Sequence, residues 1–138
     1  MNKLEVWYIE PDKKDHEHLK QSLEDKDLLN KFKIKHISKA LVEIMDLEGT
    51  PDIIIIDTSS VQGIIPTALG CWDTLYANLR YFIEKHRSSK ILIVSYVKSW
   101  AEDYLEELKR DLGEEDYYIE IGDNGSLHII EYLERQLK

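Results

Sequence analysis

The stretch Pro51-Asp52-Ile53-Ile54-Ile55-Ile56-Asp57-Thr58-Ser59-Ser60 decides how the chain is read. An unbroken run of β-branched apolar residues, Ile53 to Ile56, describes a strand covered on both faces, as in the middle of a parallel sheet. The run ends abruptly on a carboxylate, Asp57, followed by small hydroxylated residues. Ligands of open parallel sheets bind beyond the carboxyl ends of the strands, and Asp57 occupies such an end.

The flanking sequence alternates short apolar segments with helical patterns. Leu4–Ile9 reads as a first strand, and Lys14–Leu29 as a polar helix with Leu19, Leu23 and Leu28 at helical spacing. Phe32–Ile37 alternates apolar and polar residues like an edge strand, and its lysines suit a solvated edge. Lys39–Leu47 predicts a short helix with Ser38 as N-cap, ended by Gly49 and kept out of the next strand by Pro51. Beyond Asp57, the segment Thr58–Trp72 carries Gly63, Pro66 and Gly70, and precedes a helix over Asp73–His86. Its apolar residues Val61, Ile64, Ile65, Leu69, Cys71 and Trp72 suit either a partner-docking loop or a cover for the sheet edge. Ile91–Val94 forms a fourth strand ending on Ser95, and Trp100–Leu112 a helix closed by Gly113. Tyr117–Ile121 is a fifth strand, and Ser126 is expected to cap the last helix.

This alternation predicts an α/β fold with a mostly parallel sheet and helices on both faces. Strand two looks like an edge and strand three looks central, which selects the flavodoxin-like order 2-1-3-4-5. The length of 138 residues fits one domain spanning residues 1–138. In that order the ends of strands one and three are neighbours, so Glu10, and Asp12 beyond it, are brought toward Asp57. Two or three oxygen donors suit Mg²⁺, which favours a few carboxylates with water and phosphate oxygens. Ser95, closing strand four, is placed to hydrogen-bond a phosphoryl group on Asp57.

Composition bounds the partners. The net charge of −9 disfavours nonspecific nucleic-acid binding, where Lys and Arg neutralise phosphates. No apolar run reaches the roughly 20 residues of a membrane helix, and the N-terminus lacks the apolar core of a signal peptide. Cys71 is the single cysteine and cannot form an internal disulfide. The expected setting is the cytoplasm, with no membrane and no nucleic acid as partner. The histidines share no metal-ligand spacing with a carboxylate or thiol, and His16 and His18 face different ways on their helix. Neither a GxGxxG nor a Walker A segment is present.

With these residues in place, the chain resembles the receiver (CheY-like) domains of two-component response regulators over nearly its whole length. The resemblance implies that Glu10 and Asp12 are the acidic pair holding Mg²⁺, Asp57 the phosphoacceptor and Ser95 the phosphoryl-binding hydroxyl. It also makes Tyr117 or Tyr118 the switch aromatic. Where the family has a strand-five Lys and then Pro, this chain has Glu120 or Ile121 and then Gly122. A charge pair at about 4 Å in a medium of dielectric near 20 is worth roughly 4 kcal/mol, so the missing cation matters. Lys98 would replace it only if its loop folded back. Pro11 displaces Asp12 by one position, Tyr96 stands where a small residue keeps the site open, and the loop after Asp57 is longer.

These departures describe a degenerate receiver, or pseudo-receiver. It is expected to signal through a protein partner, either a sensor kinase or a downstream signalling protein, or through a homodimer. The chain closes on its last helix, so association rather than an appended domain is the expected output. Two alternatives stay open: a phosphorylatable single-domain receiver using Asp57 with Mg²⁺, and a small flavodoxin-like enzyme or cofactor-binding protein using Asp57 and Glu10. No motif favours the enzyme.

Overall fold

Ile53–Asp57 is buried along its whole length and forms strand β3 of a parallel sheet. In order along the chain, the other strands are β1 (Leu4–Ile9), β2 (Phe32–Ile37), β4 (Lys90–Ser95) and β5 (Tyr117–Ile121). The computed structural model describes residues 3–10, 13–39, 41–57, 80–95, 117–121 and 125–137. The sheet runs β2-β1-β3-β4-β5, with every neighbouring pair parallel. This is the flavodoxin-like order expected from the sequence.

Pleat alternation sorts the side chains into two cores. One holds Trp7, Ile9, Ile37, Ile54, Ile56, Ile91 and Ile93, covered by Phe82 and Ile83 of helix α2, whose described residues are 80–85. The opposite core holds Val6, Tyr8, Phe32, Ile53, Ile55 and Leu92 beneath helices α1 (Lys13–Asp25) and α3 (Gly125–Gln136). Leu19 and Leu23 of α1 and Ile129 and Leu133 of α3 are fully buried there. Because β3 is central, its isoleucines alternate between the two cores, and neither face of the strand meets water. This accounts for the continuous apolar run.

Three helix expectations are corrected. The first helix stops at Asp25 instead of reaching Leu29. Asp27 takes a positive φ of 60°, the Leu28 N–H donates to the Leu23 carbonyl at 2.8 Å, and the Asp27 N–H donates to Glu24 at 3.0 Å. Those bonds form a Schellman ending, with Leu28 folding back onto the core beside Leu23. Its apolar spacing reflects that contact and not another helical turn. The helix expected over Lys39–Leu47 is only a 3₁₀ turn, Leu41–Ile44, so Ser38 caps no α-helix. Ile44, Met45 and Leu47 still pack on the core. Finally, α3 begins at Gly125, which puts Ser126 inside the first turn.

Gly49 explains the tight return to β3. Its φ is +146°, and a Cβ there would stand 2.6 Å from the Trp7 ring, so only glycine fits. The expected helix over Trp100–Leu112, the loop Thr58–Trp72, and Asp12, Tyr96 and Lys98 lie outside the described residues. Among the described residues, no helix is long and apolar enough to cross a membrane.

Candidate functional site: the carboxyl ends of β1 and β3

Ile9 pairs with Ile56, so the next residues on the two strands, Glu10 and Asp57, are neighbours across the β1–β3 seam. The pleat gives them the side of the sheet that carries Tyr8 and Ile55, beneath α1 and α3. Both carboxylates are withdrawn from solvent: Glu10 is 2% exposed and Asp57 0%. Buried carboxylates are costly and are retained where a partner group or a cation compensates them. Strand register thus sets the backbones of Glu10 and Asp57 at adjacent strand ends.

The backbone of Glu10 is fastened to β2 on both sides. Its N–H donates to the Ile37 carbonyl at 3.1 Å. Its own carbonyl lies 2.7 Å from His36 Nε2. A carbonyl only accepts, so that ring nitrogen carries the hydrogen.

His36 stacks on His16 of α1, with ring centroids 4.1 Å apart and planes within 5°. Tyr8 flanks both rings at 6.2 Å. Burial chiefly holds the His16 pKa below its usual range; His36 and Lys20 act in the same direction and Glu17 opposes them. His16 Nδ1 is buried with no hydrogen-bond partner among the described residues.

This imidazole pair was not legible in the sequence, where His16 and His36 are assigned to separate elements. The one available signal was register. His36 shares the pleat face of Phe32 and Ile34, and that face lies under the helix bearing His16.

The donor set fits Mg²⁺ in kind, since two carboxylates, both hard oxygen donors, belong to adjacent strand ends. Asp12, the third expected donor, lies outside the described residues. Among the described residues no group of three or more His, Cys, Asp or Glu is arranged to hold a metal ion. At the other strand ends, Ser95 closes β4 opposite Ile121, and Glu120 pairs with Val94. Tyr117 and Tyr118 open β5 opposite Ile91 and Leu92. The end of β5 therefore brings Glu120 and Ile121, and no lysine, to this edge of the sheet.

No protein-family model matches the chain, and no curated protein matches it by sequence. Solved structures do match. The pilus assembly protein CpaE from Caulobacter crescentus CB15 superposes with a TM-score of 0.61 at 11% identity, covering 97% of this chain and 99% of that one. The beryllofluoride-activated DrrB receiver domain gives 0.59 at 12% identity, covering 99% and 98%. A putative CpaE2 pilus assembly protein from Sinorhizobium meliloti 1021 gives 0.60 at 10%, covering 96% and 98%. At such identities the likeness is one of architecture: the chain has the receiver-type, flavodoxin-like fold.

Proposed function

We propose that this protein is a receiver-like signalling module that works by binding a protein partner, with an acidic pocket at the ends of β1 and β3. The observation that carries this reading is the burial of Glu10 and Asp57 side by side, in a fold shared with an activated receiver domain. In this reading Glu10, Asp12 and Asp57 hold Mg²⁺, which offsets their mutual repulsion. By the receiver resemblance, Ser95 takes the part of the phosphoryl-binding hydroxyl and Tyr117 or Tyr118 that of the switch aromatic. The end of β5 supplies Glu120 and Ile121 where a compensating lysine is needed, which favours output without phosphorylation. The same architecture in proteins described as pilus assembly proteins also supports an association role.

A second reading, a competent phosphorylation switch at Asp57, draws on the position of that residue at the end of β3, one step past the Ile9–Ile56 pair.

A two-dimensional NMR titration separates the two, using Mg²⁺ first and beryllofluoride second, on wild type and Asp57→Ala. The proposed module responds to Mg²⁺ around Glu10 and Asp57 and gains nothing from beryllofluoride. Beryllofluoride shifts that spread to Ser95 and β5, and vanish in Asp57→Ala, would establish the switch instead. Silence toward both ligands would remove the metal pocket from the proposal.

A further inference from the structure

We propose that His36 is the positioning residue of the acidic pocket, fixing the Glu10 carboxylate beside Asp57 through its bond to the Glu10 carbonyl. The inference rests on the pocket reading above and adds how that pocket is held.

Glu10 is the first residue past the end of β1, where the regular ladder has stopped. The direction of its Cα–Cβ bond is set by the two peptide planes that flank it. The plane before it is fixed by the N–H bond to Ile37, and the plane after it by the His36 bond. Together those two bonds restrain both peptide planes of Glu10. Pro11 follows, has no N–H of its own, and further restricts Glu10 to extended geometry.

The ring that makes this bond is itself immobilised. His16 lies flat against it, and Tyr8 closes in from β1. The clamp therefore joins three elements, β1, β2 and α1, at the mouth of the site. Groups that orient a metal-binding carboxylate in this way typically change metal affinity by about 10- to 100-fold when removed.

The test compares His36→Phe, which keeps a stacking ring and removes the donor, with His36→Gln, which restores an N–H at similar reach. Mg²⁺ affinity is measured by NMR titration, and hydrogen exchange is followed at the Glu10 amide against Val6 as an internal control. The expected result is Mg²⁺ affinity weakened about tenfold or more in His36→Phe, with faster exchange at Glu10 but not at Val6. His36→Gln should return both toward wild type.

Unchanged affinity and exchange in His36→Phe would overturn the proposal, as would a Gln variant no better than Phe. If wild type takes up no Mg²⁺, the pocket reading fails, and the Glu10 exchange rates still decide the clamp. Should His36→Phe not fold, His16→Leu substitutes for it: loss of the stack must speed Glu10 exchange, and a wild-type rate rejects the clamp.

Discussion

Strand β3 carries an aspartate at each end, and the two are used in opposite ways. Asp52, at the amino end, is exposed. Its carboxylate accepts the Glu5 N–H at 2.8 Å, while its backbone bonds Glu5 and Lys90 at 2.9 and 3.0 Å. Close by, the Ser89 hydroxyl donates to the Pro51 carbonyl at 2.6 Å, and Gly49 packs against Trp7. That end is stitched together by local bonds, with water available to any remaining lone pair. Asp57, at the carboxyl end, is fully buried at the strand end next to Glu10, whose carbonyl meets His36 of a stacked histidine pair. The same side chain is an inexpensive tie at one end and a polar group shut away from water at the other. Exposure, and not residue type, separates the structural carboxylate from the candidate site.

The most severe way to break this contrast is to remove what both ends share. Ile55→Ala leaves a cavity in the core under α1 and α3 and should cost about 2–5 kcal/mol in a denaturant melt. Both ends would be lost in one transition. Gly49→Ala strikes the amino end alone, forcing a Cβ into the Trp7 ring at a left-handed φ. A loss of about 1–3 kcal/mol is expected, with the Mg²⁺ response of the folded protein unchanged. A Mg²⁺ response that disappears with this substitution would show that the ends are not independent.

Asp52→Ala sharpens the comparison further. It should lower stability by about 1 kcal/mol, the value of one hydrogen bond, and leave the pocket intact. Asp57→Asn is its mirror image: the Mg²⁺ shifts should vanish while the fold persists by circular dichroism.

pH is the gentlest probe, because each end has a histidine whose pKa is held below its ordinary value. Burial, followed by Lys85, lowers the pKa of His86, which packs on Trp7 at the amino end, while Glu48 opposes the shift. His16 is lowered at the carboxyl end, again mainly by burial. Each group binds a proton more readily unfolded than folded. Its stabilising contribution is therefore complete above the ordinary value of 6.5 and declines as pH falls through 6.5 toward the lowered folded pKa. Urea midpoints should drop across this range, with a shallower slope in His86→Phe. An identical slope in that variant would assign the effect elsewhere.

The strands were legible because each is a short apolar segment with a turn signal on either side. Leu4–Ile9, Phe32–Ile37 and Tyr117–Ile121 fold with the bounds their sequences predict. The helices were less so. Leu28 and Ile44 have helical spacing yet lie in a Schellman return and a 3₁₀ turn, because spacing records which residues reach the core and not the backbone that carries them there. At the site, the adjacency of Glu10 and Asp57 followed from strand order alone. The His16–His36 stack did not, since it depends on how far α1 reaches along β2.

The parallel α/β architecture, the central place of Ile53–Ile56 and the carboxylates at the strand ends follow from the residue pattern, because burial on two faces demands an unbroken apolar run. Packing alone closes Glu10 and Asp57 from water while leaving Asp52 exposed, and brings two histidines from separate elements together beside the Glu10 carbonyl. Exposure and ring stacking are properties of packed neighbours, and those neighbours are distant along the chain.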